Sequence, residues 1–179
     1  MGPLKRLSAT IVLGAAALAA SPAVALAAPL DDATILAIFD NANMADIRTA
    51  RLGVEKAHSA EVRALAKMVA ADHEAVQQMG RDLAHRLGLI PTPPDGDASV
   101  EAEAKALAAL QVQSGPAFDR AYLLHEIAFH QGVIDAIRGT LLPAIADPDL
   151  KALVVKVLPG FEHHLAETKA TALKLGVNS

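Results

Sequence analysis

Residues 123–133 read Leu123-Leu124-His125-Glu126-Ile127-Ala128-Phe129-His130-Gln131-Gly132-Val133. Apolar residues recur here at helical spacing, yet Glu126 and His130 fall on the stripe that should stay apolar. An inward carboxylate or imidazole without a partner costs several kcal/mol in an apolar medium. Four residues apart, the two side chains can reach one point beside the helix axis, so they are placed to meet something at the centre of a bundle. The helix around them is expected over 116–141, with Pro116 in its first turn and Pro143 ending it. Its seam is Leu123, Glu126, Ile127, His130, Val133, Ile134, Ile137 and Leu141.

Three more helices of similar length flank it. Asp31-Asp32 caps a helix over 32–57, with the seam Ile35, Phe39, Ala42, Asp46, Thr49 and Gly53. Ser59 caps the next, over 60–87, which stops at Gly88. Its seam is Val62, Leu65, Val69, His73, Val76, Gly80, Leu83 and Leu87. So short a link makes these two an antiparallel hairpin. Ile90-Pro-Thr-Pro-Pro-Asp-Gly-Asp97 is loop, and Ser99 caps a short helix over 99–113. Asp147-Pro148 opens the last helix, over 148–175, with the seam Leu150, Leu153, Val157, Gly160, His164, Thr168, Thr171 and Leu175. Pro159 should kink it or leave one carbonyl unpaired. The implied class is all-α: a ferritin-like four-helix bundle, two antiparallel hairpins joined by a long crossover that carries one short helix.

The first residues are read apart from this fold. A basic start at Lys5-Arg6, an apolar run over 7–20 and the small-residue tail Ser21-Pro-Ala-Val-Ala-Leu-Ala-Ala28 form a signal peptide over 1–27. Cleavage near Ala27-Ala28 would leave one domain over 28–179, exported to the periplasm or secreted, with no membrane span. Of 16 basic residues, losing Lys5 and Arg6 leaves 14 against 20 acidic ones, a net charge of −6. No basic cluster remains, which argues against nucleic acid as a partner. The sequence has room for a protein partner or homo-oligomer but points to neither. Cysteine is absent, so disulfides and thiolate ligands are excluded and stability must come from packing.

Each seam holds a metal-competent residue at mid-helix: Asp46, His73, Glu126 with His130, and His164. Asp46 lies 12 residues before the first hairpin turn and His73 lies 15 after it, so both stand on the order of 20 Å from that turn. Three imidazoles with one or two carboxylates suit one transition-metal ion, Zn(II), Fe(II), Mn(II) or Cu(II). The same residues could instead form a buried hydrogen-bond network that fixes helix packing and binds nothing, or His73 and His164 could turn to solvent. His58, His85, His125 and His163 read as surface residues. No nucleophile elbow, phosphate loop or Ser-His-Asp set is present, so no catalytic residue is assigned and the reading leans away from an enzyme.

Three phrases carry a family resemblance: Ala-Lys-Met-Val-Ala-Ala-Asp-His at 66–73, Phe-Asp-Arg-Ala-Tyr-Leu at 118–123 with His130 following, and Leu-Pro-Gly-Phe-Glu-His-His-Leu at 158–165. As a set they resemble the exported bacterial ferritin-like family catalogued as domain of unknown function 4142, whose members are often labelled membrane or outer-membrane proteins. The resemblance covers about residues 31–175. It implies a four-helix bundle whose motif histidines are His73, His130 and His164, and an exported location, but no settled activity; the periplasmic metal-handling or stress-related accessory role is expected from the seam residues themselves. The family's acidic residue in the first helix is typically Glu, whereas this chain has Asp46, one methylene shorter. Di-iron bundles need a Glu three residues before a His on two helices. Here Ala70 precedes His73 and Phe161 precedes His164 at that distance, so one ion is expected rather than two.

Overall fold

The structure, a computed structural model, describes residues 30–177; the expected signal peptide lies outside the described residues. Helix α1 spans Asp32–Lys56, α2 Ala60–Leu87, α3 Ser99–Gln111 and α4 Gly115–Ala136. A π-helical turn, Ile137–Leu141, leads into the short α5, Leu142–Ala144, and α6 runs over Pro148–Lys174. There is no strand among the described residues. Side-chain caps set several of the starts. Asp31 accepts from Thr34 N at 2.7 Å, Ser59 from Val62 N at 3.1 Å, and Asp147 from Asp149 N and Leu150 N at 2.9 Å. Gly88 ends α2 at φ 65°, where a left-handed residue lets its N–H reach back to Ala84 and His85 carbonyls.

Two carboxylates fix how the hairpins meet. Asp119, near the start of α4, accepts from His58 N at 2.8 Å and Ser59 N at 2.7 Å, the turn between α1 and α2. Asp32, at the start of α1, accepts from Ala146 N at 3.0 Å and Asp147 N at 2.9 Å, the turn before α6. So α4 begins at the end of the bundle where α1 stops, and α6 begins where α1 starts. The crossover therefore climbs the length of the bundle, and α1 and α6 run opposite to α2 and α4. Around the axis the helices follow the order α1, α2, α6, α4, with α3 lying outside against α1 and α4. This is the ferritin-like arrangement.

The interior is apolar at both ends. Ile35, Phe39, Leu83, Ile134, Ile137, Leu150 and Val154 fill one half, with Phe161. Val62, Leu65, Val69, Phe118, Tyr122 and Leu123 fill the other, with Ala172. Between them lies a buried polar layer: Asn43, Asp46, Thr49, His73, Glu126, His130, His164 and Thr168.

The local courses differ from expectation in three places, at Ser99, at Pro143 and in the buried stripe of α6. Ser99 is the first residue of α3 rather than its cap, and Asp97 Oδ1 holds its N–H at 2.8 Å. Pro143 does not end the helical course, which continues to Ala144. The carbonyl that its ring would oppose in an α-helix, that of Gly139, lies in a turn whose bonds reach five residues back, as Leu142 N does to Ile137 O. Helix α6 passes through Pro159 as one element, with the Val155 carbonyl deprived of its usual donor. The buried stripe of α6 is Leu150, Val154, Val157, Phe161, His164, Thr168 and Ala172. Two stripes one residue apart share four of those positions. Packing selects the one containing Phe161, whose ring meets His73 edge-on at 4.9 Å, and leaves Gly160 exposed.

Close approach of α1 to its neighbours depends on Gly53. A Cβ there would lie 2.8 Å from Tyr122 Cε2 and 2.9 Å from Ala66 Cβ. The ring could shift, but the alanine methyl could not without moving α2. Gly53→Ala is expected to destabilise by about 1–3 kcal/mol despite better helix propensity. A thermal midpoint equal to or above that of the parent protein would contradict this packing.

Candidate metal centre

All four long helices contribute to the polar layer. Asn43, Asp46 and Thr49 lie on one face of α1, three residues apart; α2 brings His73, α4 brings Glu126 and His130, and α6 brings His164 and Thr168. The five residues singled out from the sequence are all buried, none more than 3% exposed. His73 Nε2 is 2.9 Å from Asp46 Oδ2, which is in turn 3.3 Å from His130 Nε2. His164 Nδ1 is 3.2 Å from His73 Nε2. The short Asp46 side chain reaches both rings. Glu126 stands beside this group, with its Oε2 3.6 Å from the other ring nitrogen of His130, Nδ1.

The outer nitrogen of each ring has an acceptor. His130 Nδ1 is 3.0 Å from the Glu126 backbone carbonyl, which can only accept. Asn43 Nδ2 donates to Phe39 O at 2.7 Å, which turns Asn43 Oδ1 towards His73 Nδ1 at 2.9 Å. His164 Nε2 is 2.9 Å from Asp72 Oδ2. A ring that carries one proton therefore carries it outward. In that tautomer His73 Nε2 and His164 Nδ1 face each other, and His73 Nε2 and His130 Nε2 each face Asp46 Oδ2, with no proton between them. Asp46 Oδ2, His130 Nε2, Glu126 Oε2 and Tyr122 Oη are buried with no hydrogen-bond partner among the described residues. Lone pairs at this separation repel unless a cation lies among them.

Ionisation follows from the same contacts. Burial opposes the charge of Asp46, but the His73 and His130 rings and the Glu126 carboxyl outweigh it and hold the carboxyl down at about 2. Burial and then the Asp46 charge push Glu126 well above its ordinary 4.5, so it is the protonated member of the pair. Burial brings His130 down to about 4, against the pull of Asp46, and lowers His164 against the hydrogen bond that its Nε2 donates to Asp72. Tyr122 is raised well above 10, first by burial and then by the neighbouring Glu126 and Asp46 carboxyl groups.

One ion sets the spacing of its donors. Ligand atoms held about 2.0–2.1 Å from a metal stand about 3.3 Å apart in a tetrahedron and about 2.9 Å apart at right angles. The observed separations of 2.9, 3.2 and 3.3 Å lie in that interval. Each imidazole also has the outer acceptor that fixes a ligand ring. The three separations cover three of the six donor pairs; the donors that lie mutually within 4.8 Å form two overlapping sets, His73 with His130 and His164, and Asp46 with Glu126 and His130, and either set could hold a single ion. They do not supply the carboxylate bridges of a di-iron site.

Sequence reading missed Asn43, Asp72, Tyr122 and Phe161. Asn43 was legible in principle, since it lies three residues before Asp46 on the same helical face. Asp72 was not, because it looks outward from α2 and meets His164 only through the tertiary fold. His125, expected at the surface, is instead half-buried beneath α3 beside Phe129. The covering helix, not the periodicity of α4, takes it from water. His58, His85 and His163 are exposed.

Residues 15–171 match the family described as Domain of unknown function (DUF4142). The chain belongs to this family. Two solved structures are similar to it in fold. CopM in the Cu(II)-bound form is 17% identical, with a TM-score of 0.62 over 81% of this chain and 98% of that one. A DUF305 fragment from Deinococcus radiodurans is 17% identical, with a TM-score of 0.68 over 80% and 94%. No curated protein matches the sequence. Among the described residues, no helix is long and apolar enough to cross a membrane.

Titration of the metal-free centre has a definite sign. His130 and His164 are depressed in the folded state, so their contribution is complete above about 6.5 and is lost as pH falls below it, for His130 through about 4. Glu126 is raised, so its contribution grows as pH falls towards 4.5 and offsets part of that loss. In Glu126→Gln the offset is gone. Its thermal midpoint should therefore fall more steeply than that of the parent protein between pH 7 and 4.5, both stripped with chelator; equal slopes would show that Glu126 is not protonated in the folded state.

Proposed function

We propose that this domain binds one transition-metal ion at mid-height of the bundle through His73 Nε2, His130 Nε2, His164 Nδ1 and Asp46 Oδ2. The reading rests on one observation: these donors lie beside one another while the partners of the outer nitrogens leave no proton between them. Four protein donors without a reserved position suit holding an ion rather than turning over a substrate. The role is therefore metal handling, not catalysis. Three imidazoles and a carboxylate favour Cu(II) and Zn(II) over Mn(II) and Fe(II). The fold shared with CopM, solved in a Cu(II)-bound form, makes Cu(II) the first ion to test. The signal peptide expected over 1–27 makes the domain an exported, periplasmic or secreted accessory protein.

A second reading has its own support. His73 Nε2 and Asp46 Oδ2 are 2.9 Å apart, a distance that a single proton would bridge. The layer would then be a structural network. That proton would have to leave His73 Nδ1, which would turn a bare nitrogen towards Asn43 Oδ1, and His130 Nε2 would still lack a partner.

The discriminating measurement is elemental analysis of tag-free protein after equilibration with Cu(II) or Zn(II) and dialysis. Metal handling predicts about one ion per chain, a thermal midpoint that drops when a chelator removes it, and at least a hundredfold weaker binding in His130→Ala. The structural network predicts no retained metal and no chelator effect, with His130→Ala destabilising the fold by several kcal/mol. That second pattern would overturn the metal reading.

A further inference from the structure

The proposed centre has two approaches from the surface, and they differ in chemistry. One is a cleft of about 280 Å³ beneath α3, lined by Ile38, Ala42, Ala45, Ala106 and Phe129 and reaching the polar layer at Thr49. Its wall area is mostly apolar, although Asn41, Asp97, Glu103 and His125 also line it, and it touches none of the four proposed donors. The other is a groove of about 250 Å³ between α2 and α6, and two donors, His73 and His164, form part of its wall. Asp72, Val76, Met79 and Gly160 line it further out, with Lys156 also on the α6 side. In the first cleft the two lining carboxylates are already paired, Asp97 with Asn41 Nδ2 and Ser99 N and Glu103 with Arg48, and neither adjoins a proposed donor. In the second an ion meets the Asp72 carboxylate, which is 56% exposed.

His164 connects that carboxylate to the interior. Its Nε2 is 2.9 Å from Asp72 Oδ2, and its Nδ1 faces His73 Nε2 at 3.2 Å. Asp46, Glu126 and His130, by contrast, are at most 1% exposed and line neither passage. Gly160, one turn before His164 on α6, leaves the groove unobstructed, since a Cβ there would meet nothing within 4 Å.

We propose that the metal ion enters and leaves through the groove between α2 and α6, with the Asp72–His164 pair as its gate. Asp72 meets the hydrated ion, the His164 ring gives up its bond to Asp72 and turns outward, and the ion is drawn in towards His73, Asp46 and His130. The inference rests on the centre described under Proposed function.

Its test is kinetic and uses the full metal-free chain with Cu(II), followed by absorbance in stopped flow, with release into excess chelator measured separately. Gly160→Leu places a side chain in the groove from α6, and Ala75→Leu does so from α2, where Ala75 is exposed. Each should slow uptake and release by at least tenfold and leave the equilibrium affinity within about twofold of the parent protein. Ala106→Leu fills the cleft beneath α3 and should leave both rates unchanged. Parental rates in the two groove variants, or slowing confined to Ala106→Leu, would overturn the route while leaving the centre intact. A parent protein that retains no metal would overturn the centre itself, and the route with it.

Discussion

A layer of hydrogen-bonding groups cut off from water at mid-height is the constraint that organises this molecule. Above and below it the helices pack as apolar rods would. Within it, Asp46, His73, Glu126, His130 and His164 have lost their hydration and must find compensation from one another. The outer edge of the layer achieves this with ordinary partners: the Asn43 amide, the Glu126 carbonyl, the Asp72 carboxylate and the Thr168 hydroxyl donating to His164 O at 2.7 Å. The inner edge does not. One carboxylate oxygen and three ring nitrogens are left with more electron pairs than protons. A purely structural network is normally selected to avoid that outcome, because a half-satisfied set is worse than an apolar core.

Much of the bundle was legible in the sequence because caps and seams are local. Asp31, Ser59 and Asp147 stand where the helices begin, and Gly88 where α2 ends. The opposed directions of the hairpins follow from the short links and the one long connection. What stayed hidden needs the third dimension. The orientation of α6 about its own axis is decided by Phe161 fitting against His73, and two stripes sharing four positions cannot be told apart by spacing alone. The π turn at 137–141 has no sequence signal beyond the proline that follows it.

The site was readable to a similar depth. Finding a polar residue in every seam required only helical spacing, and the hairpin arithmetic already put Asp46 and His73 near one level. Counted from a turn near Ala144, His130 and His164 would stand roughly two turns apart, less the offset that the Asp147-Pro148 loop takes up. The turn in fact extends to Asp147, and with α6 starting at Pro148 the two rings come within one layer. Tautomers, by contrast, depend on partners such as Asn43 and Asp72 that belong to other helices or to other faces. The lone-pair geometry, from which the chemistry follows, appears only when the helices are assembled.

The paired carboxylates at the bundle ends have a consequence for how the chain acquires its shape. Asp119 of one hairpin completes the reverse turn of the other, and Asp32 returns the service at the opposite end. An isolated hairpin would leave the two amide hydrogens at its bend to water and half of the polar layer laid bare. Each hairpin thus supplies the acceptor that closes the other's turn, and docking the two covers the polar layer from both sides.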